Sequence, residues 1–381
     1  MIFGASVRAA AFSALRAGLQ PWCADLFADT DLQARCPVNR ILFAEYPKGF
    51  AAFSAKAPPG SWIYTGGLEN HPKLVEEISA SRPLWGNRLK PLVIARSPAA
   101  LAMILQSNRI SFPMIRESPS ELAPQGRWLV KPRKGAGGTG IFFHNSTRAN
   151  YSNKRVYFQQ FIEGFPCSAV YVGLKKATRL LGVTRQLVGE AWLNAAPFHY
   201  CGSIGPLPLE PTIQKEVDRI GNVLAQECLL RGLFGVDFIL SEGKPWPVEV
   251  NPRYPASTEI LEYVLGIKAM TFHRSAFESD GSEVSPVSNA PDSETARSFI
   301  GKAILFAKRS LKFPKNGPWT TSVGRHSIDK MPAFADVPEP GRVIKPGAPI
   351  LTFFGQSSTI DGCLGDLRKR ARALDRYLWK P

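Results

Sequence analysis

Apolar positions along this chain switch between a strand period and a helix period, with turn residues between them. A very short strand, Met1 to Phe3, meets Gly4, and an Ala-rich helical pattern runs from about Ser6 to Ala17. That strand is short enough to suggest a truncated or mis-assigned start. Strand-like runs recur at Ile41-Leu42-Phe43-Ala44 and Ser61-Trp62-Ile63-Tyr64; Thr65-Gly66-Gly67 turns the chain, and Pro72 favours a first helical turn. Residues 1–95 therefore read as a small α/β unit. Residues 98–107 predict a helix, Trp128 to Lys131 and Ile141 to His144 predict strands, and the run from Arg155 to Ile162 predicts a third that enters a turn at Gly164. Strands and turns alternate over 169–193. An amphipathic helix spans about Pro211 to Leu230, with Ile213, Val217, Ile220, Val223 and Leu224 near period 3.6, and another helix follows Ser257. Residues 279–298, rich in Ser, Asp, Glu and Pro, read as a linker or mobile loop. The remainder holds strands at Ala303 to Ala307 and Pro349 to Phe354 and a terminal helix from about Gly365 to Leu378, with no internal repeat.

Composition narrows the class. The 381 residues suffice for two or three domains, and 44% hydrophobic with 20% charged residues is ordinary for a globular protein. No apolar run reaches the roughly eighteen residues of a membrane span, and the start lacks the basic-then-apolar order of a signal peptide. A cytoplasmic protein is expected. Six scattered cysteines without a Cys-x-x-Cys pair argue against structural zinc and a disulfide framework. The net charge of +16 admits nucleic acid, an anionic membrane surface or acidic small molecules. The basic residues are spread out, the densest cluster being Arg368-Lys369-Arg370-Ala371-Arg372, and no nucleic-acid motif accompanies them. Nucleic acid and membrane are not expected partners. Acidic substrates explain the charge, as does a basic host proteome.

Candidate chemistry concentrates in one hairpin. Two apolar runs, Gly235 to Leu240 and Trp246 to Arg253, flank a turn at Gly243. Centred there, Asp237 falls opposite Glu249. Opposed carboxylates have Cβ atoms roughly 5 Å apart and normally repel; a divalent cation turns that repulsion into attraction, because hard cations take carboxylate oxygens. Asn251 and Arg253 follow at period two, on the face of Glu249. The set suits Mg²⁺ with a phosphoryl group. Two surface carboxylates on an edge strand marked by Pro245 and Pro247, with Arg253 as their ion-pair partner, is the plainer alternative.

Upstream, Gly135-Ala136-Gly137-Gly138-Thr139-Gly140 follows the strand ending in Lys131. It matches G-x-G-x-x-G literally, yet it leads into a strand and lacks the acidic ribose partner of a dinucleotide fold; nor has it the ending of a P-loop. A glycine-rich strand-loop-strand can cradle phosphates through backbone N–H groups, with Lys131 and Lys134 adding charge. A flexible hairpin tip with solvated lysines is the alternative.

Lys131-Pro132 with this loop, followed about a hundred residues later by Asp237 and Glu249-x-Asn251-x-Arg253, resembles the ATP-grasp superfamily over roughly residues 95–270. The resemblance implies two α+β lobes that clamp ATP. Lys131 would contact the α- and β-phosphates, and Gly135, Gly137, Gly138, Thr139 and Gly140 would close over them with Lys134. Arg96 stands where an earlier phosphate-contacting lysine is usual. Tyr157 to Gly164 resembles the adenine-holding linker, so Gln160, Phe161, Ile162 and Glu163 would hold the base, Gln160 reading its edge and Ile162 packing on it. Asp237, Glu249 and Asn251 would be ligands of two Mg²⁺ ions, and Arg253 with Lys131 the catalytic cations. The segment Trp62 to Pro72, with Asp336-Val337-Pro338-Glu339-Pro340-Gly341 and Pro346-Gly347-x-Pro349-Ile350, is similar to predicted ATP-dependent carboligases related to biotin carboxylase, which often accompany tetrahydromethanopterin-linked one-carbon metabolism.

The architecture so implied is an α/β and α+β ATP-grasp fold: an N-terminal Rossmann-like preATP-grasp domain over 1–95, the two-lobed ATP-grasp domain over 96–278, the linker at 279–298, and a small C-terminal α/β domain over 299–381. Glu69, Asn70 and His71 could line a substrate pocket or simply form a turn. Gln186, Glu190, His199 and Tyr200 would approach the reaction centre, with Tyr200-Cys201-Gly202-Ser203 as a substrate loop.

The expected activity is that of a Mg-ATP-dependent, ADP-forming carbon–nitrogen ligase. It would activate a small acidic carboxylate as an acyl phosphate for attack by an amine, in coenzyme biosynthesis, from a chain that can be a homodimer. A bicarbonate-activating enzyme and a non-catalytic ATP-binding module are the alternatives.

Overall fold

The computed structural model describes residues 1–123, 125–145, 155–278, 298–323 and 327–379. The linker expected at 279–298 lies, apart from Ser298, outside the described residues.

The chain opens with β1 (Ile2–Phe3), α1 (Arg8–Arg16), β2 (Cys23–Asp25), α2 (Thr30–Gln33), β3 (Val38–Arg40), α3 (Gly49–Lys56), β4 (Ile63–Tyr64) and α4 (Pro72–Ser79). The four strands form a parallel sheet in the order β3-β2-β1-β4. Parallel strands are covered on both faces, so β1 and β4 are apolar and buried without alternation. Two expectations shift here. The helix expected from Ser6 starts at Arg8, with Val7 at its cap. The strand expected at Ile41 to Ala44 does not form: the ladder ends with the Ile41 N–H bonded to Asp25 O at 2.8 Å, where β2 itself ends, and Leu42, Phe43 and Ala44 turn out exposed.

Two short helices follow, α5 (Leu89–Ala95) and α6 (Pro98–Ser107). The Ser97 hydroxyl caps α6 by accepting the Ala100 N–H at 3.3 Å. No single helix among the described residues is long and apolar enough to cross a membrane. Then β5 (Ile115–Arg116), β6 (Trp128–Pro132), β7 (Phe142–Phe143) and β8 (Val156–Gln160) form an antiparallel sheet in the order β5-β8-β6-β7. The glycine-rich loop is the tip between β6 and β7.

The largest sheet takes β9 (Phe165–Gly173), β10 (Thr178–Val188) and β11 (Tyr200–Gly205). After α7 (Pro211–Glu227) it adds β12 (Gly232–Ser241) and β13 (Lys244–Asn251). Helices α8 (Thr258–Leu265) and α9 (Ala269–Glu278) precede β14 (Phe299–Phe306), β15 (Leu311–Lys312), β16 (Phe334–Ala335), β17 (Val343–Ile344), β18 (Pro349–Ser357) and α10 (Ile360–Leu378). Eight strands pair in the order β13-β12-β9-β10-β11-β14-β18-β16, so the C-terminal strands extend this sheet while β15 and β17 pair separately. Helix α7 buries Val217, Ile220 and Leu224, as its period requires, and packs on Tyr171 where Gly221 leaves room: a Cβ there would lie 2.2 Å from the ring. Helix α10 starts earlier than the expected Gly365 because Thr359 caps it, accepting the Gly362 N–H at 3.0 Å. All six cysteines are buried and free.

A buried charge network ties helix α1 of the N-terminal unit to the eight-stranded sheet and helix α8. Arg8 on α1 donates to both oxygens of Glu259 on α8 and, at 2.9 Å, to Asp336. Lys302 on β14 reaches the same Glu259 at 3.0 Å. Arg8 and Glu259 are 1% and 0% exposed, so the pairing has to be complete to offset the desolvation of both ions.

Candidate active site

The β12–β13 hairpin turns through Glu242 and Gly243, both with positive φ (48° and 72°), the type I′ geometry that matches strand twist. This turn sets the register: Asp237 pairs directly with Glu249, and Gly235 with Asn251. A bulge follows Asp237, and β13 is the sheet edge, where Pro245 and Pro247 are tolerated.

Asp237 accepts hydrogen bonds from Asn251 Nδ2 at 2.9 Å and Gln186 Nε2 at 3.0 Å, and from Ser168 on the neighbouring strand β9. Burial first, then the charge of Glu249, push the Asp237 carboxyl up to about 6. Glu249 goes the other way. Burial would raise it, but Arg96, whose Nη1 lies 2.5 Å from Oε1, and then Lys131 outweigh burial and hold it below the usual carboxylate range. The two acids thus titrate as a pair in which Glu249 keeps the charge. A cation beside both would relieve the strain on Asp237. The donors are carboxylate and amide oxygens, suited to a hard ion such as Mg²⁺. Among the described residues no cluster of three or more His, Cys, Asp or Glu gathers for a metal, so phosphate oxygens or water would have to complete the shell.

Cations surround this pair. Lys131, 8% exposed on β6, donates to Gln159 Oε1 at 2.9 Å, and Gln159 Nε2 reaches Val248 O on the acidic hairpin at 3.4 Å. Arg253 donates to Asn251 Oδ1 at 2.9 Å and to Glu69 Oε1 at 3.1 Å. Glu69 is buried, and its Oε2 has no hydrogen-bond partner among the described residues. Arg96 Nη2 also donates to Asn70 Oδ1 (3.1 Å) and Gly135 O (3.0 Å), which Asn70 Nδ2 joins at 3.2 Å. The turn from Glu69 to Asn70 therefore braces Arg253 and Arg96.

The glycine loop is held over the cleft. Gly137, Gly138 and Gly140 have positive φ. Gly138 approaches the Phe198 carbonyl so closely that a Cβ would lie 1.8 Å from its oxygen, and the Tyr200 N–H donates to Gly137 O at 3.1 Å. Beneath it is a cavity of about 230 Å³ that brings together Lys131, Gly137, Gly138, Gln160, Phe161, Ile162, Asp237, Glu249, Asn251 and Arg253. Leu129, Val188, Ile239 and Phe198 add apolar wall suited to a flat base. Arg96, Gly135 and Thr139 border a narrower adjoining space shared with Lys131 and Glu249. Lys134, Gly140 and Glu163 line neither space: Lys134 and Glu163 are exposed, the latter beyond the end of β8. The Gln160 side chain is engaged by the Met114 N–H at 3.3 Å. Gln186 and Tyr200 line the cleft, whereas Glu190 bonds Trp192 and His199 lies against Phe306. Ser168, Gln159 and Phe198 escaped sequence reasoning as site residues, since nothing local marks which strand will lie beside β12.

This clamp of two sheets on a glycine loop and an acidic hairpin agrees with a family model described as ATP-grasp domain, which matches residues 99–257. Residues 99–257 match an ATP-grasp domain. The chain is 23% identical over 235 residues to an uncharacterized protein of Methanocaldococcus jannaschii, a match covering 60% of this chain, and it spans only about half (51%) of that relative. Its fold resembles that of L-amino acid ligase from Bacillus licheniformis (TM-score 0.69, 15% identity, 98% of this chain and 96% of that one). It also resembles a biotin carboxylase–βγ-ATP complex from Campylobacter jejuni (TM-score 0.71, 13% identity, 96% and 89%). At these identities the likeness establishes the ATP-grasp fold, of the type seen in ligases and carboxylases.

Proposed function

We propose that the protein is a Mg-ATP-dependent, ADP-forming ligase that activates a small carboxylate as an acyl phosphate and transfers the acyl group to an amine. The observation that carries this reading is the Asp237–Glu249 pair with Asn251, set in one cleft with Lys131 and the glycine loop. The substrate carboxylate oxygen attacks the γ-phosphorus; the bridging P–O bond breaks, and ADP leaves with its electron pair. The amine nitrogen then attacks the acyl carbon, inorganic phosphate leaves, and the nitrogen loses a proton to water. Such transfers ask the protein chiefly for positioning and charge neutralisation.

Lys131 and the loop around Gly137 and Gly138 hold the phosphate tail and exclude water. The segment Gln160, Phe161 and Ile162 takes the base. Arg253, steadied by Glu69, offers a two-pronged donor to the acceptor carboxylate or the acyl-phosphate oxygens. Asp237, Glu249 and Asn251 would hold Mg²⁺, which supplies neutralisation of the phosphate charge. Arg96, bonded to Glu249, is the cation that would share this acid with the metal or yield it. The net charge of +16 favours an acidic acceptor.

The test is ADP release from Mg-ATP across amino acids, bicarbonate and pterin- or furan-type coenzyme precursors, with Glu249→Gln as control. Release that requires a carboxylate and an amine together, and is lost in the variant, is expected. Release with bicarbonate alone would move the assignment to the carboxylase type, which the fold likeness to biotin carboxylase supports. Mg-ATP binding without turnover under every condition would refute a catalytic role.

A further inference from the structure

A second cavity, larger than the cleft, lies where the N-terminal sheet meets the C-terminal strands. Its volume is about 530 Å³, and Ser6, Phe27, Asp29, Phe43, Asp336 and Arg342 are among its walls. Three aspartates gather beside it, Asp25 at the end of β2 and Asp29 and Asp31 at the start of α2, and two are satisfied. Asp25 accepts the backbone N–H groups of Phe27 and Ala28 at 3.1 and 2.5 Å, and Asp31 accepts those of Asp336 and Val337, both at 3.0 Å. Asp29 differs. Its side chain is 6% exposed and faces the cavity, yet it accepts no hydrogen bond among the described residues. The nearest cation, Arg342 Nη1, stands 3.9 Å away and donates instead to Phe27 O at 2.7 Å. Asp336, the other carboxylate on the wall, is held by Arg8 and by the Thr352 hydroxyl. The Asp29–Arg342 ion pair is too long for a hydrogen bond, so a ligand that donates one to Asp29 gains an interaction the protein does not itself supply.

The rest of the wall says what kind of ligand. Phe27 and Phe43 meet edge to face at 6.1 Å, and Phe43 is 67% exposed at the mouth. Arg342 already lies 5.3 Å from the Phe27 centroid, so this ring accepts a cation, and rings beside a carboxylate that accepts no hydrogen bond favour a further, organic one; the volume is that of a small organic molecule rather than an ion. We infer that this cavity binds a primary amine, its ammonium group donating to Asp29 and its apolar body lying against Phe27 and Phe43. Burial, and then the neighbouring charges of Asp336, Asp31 and Asp25, hold the Asp29 carboxyl well above its usual range, a cost that an incoming ammonium relieves. The cavity also backs onto the catalytic cleft. Thr65 Oγ1 donates to Ser6 O at 2.9 Å, the Ala5 N–H donates to Gly66 O at 3.1 Å, and a Cβ on Gly66 would lie 3.5 Å from Arg253 Nη2. The binding of an amine here does not rest on the function proposed above.

Calorimetric titration of the full chain with benzylamine and butylamine, against benzyl alcohol and benzoate, tests the site without ATP. Binding of the amines at least about tenfold tighter than of the controls is expected, with a similar loss in Asp29→Asn. Phe43→Ala, at an exposed position that does not threaten folding, should weaken benzylamine more than butylamine. Equal binding of benzoate, no amine binding up to millimolar levels, or binding indifferent to both variants would overturn the inference. Mg-ATP binding is measured separately. If it fails while amines bind, the ligase reading falls and the amine site stands; the reverse outcome removes the amine site alone.

Discussion

Replacing Asp237 by Asn should make the protein more stable at neutral pH while removing Mg-dependent turnover. In the folded protein this carboxyl is raised from 3.8 to about 6 by burial and by Glu249. A raised acid holds its proton more tightly when folded, so stability is greatest at low pH, falls as pH rises from 3.8 to about 6, and stays reduced above that. A shift of roughly two units corresponds to about 3 kcal/mol at pH 7.5. The amide is neutral and escapes that penalty. It also presents an NH₂ to a site where Asn251 and Gln186 both donate, so one of them must turn its own amide, which costs about 1 kcal/mol. A net gain of about 1–2 kcal/mol remains, or roughly 1–3 °C in Tm for a chain of this size. Thermal unfolding of both proteins without Mg²⁺, from pH 4.5 to 8, gives a difference curve in which the other raised acids, Asp25 and Asp31, cancel. ADP release is followed in parallel. A variant of equal or lower Tm at pH 7.5, with a pH slope parallel to wild type, would refute the electrostatic account. Retained Mg-ATP turnover would refute Asp237 as a ligand.

Arg8→Met leaves Glu259 buried with Lys302 as its remaining partner, so a loss of about 3–5 kcal/mol is expected in urea or thermal unfolding, and a loss below about 1 kcal/mol would show that the network is not needed. Gly138→Ala brings a Cβ against Phe198 O at a positive φ. The loop must therefore lift, and the KM for Mg-ATP should rise about tenfold or more, while Tm falls by no more than about 4 °C, because a strained single residue costs about 1–3 kcal/mol.

Much of the site could be read from the chain because it is built from local rules. Gly243 and the alternation of two runs suffice to place Asp237 opposite Glu249, and the strand on each side of Gly135 to Gly140 makes a loop, not a helix start. The departures are of one kind. Ile41 to Ala44 has strand composition, but its neighbour β2 has already ended, and a strand without a partner does not persist. Lys134 and Glu163 sit in the expected segments, yet they are exposed and line neither cavity, which spacing alone does not reveal.

Periodicity and turn chemistry, both properties of a few neighbouring residues, determined the hairpin, the glycine loop, the amphipathic helix α7 and the family to which they point. What no local pattern contains is which distant groups become neighbours and how much water is left between them. Tertiary packing decided that Ser168 and Gln186 would donate to Asp237, that Glu69 would brace Arg253 and Arg96 pair with Glu249, and that Asp29 would face a cavity without a donor. It also decided the division of charge between two carboxylates that are nearly equivalent in sequence. That division depends on desolvation and on nearby cations, and both exist only once the sheets have closed on each other.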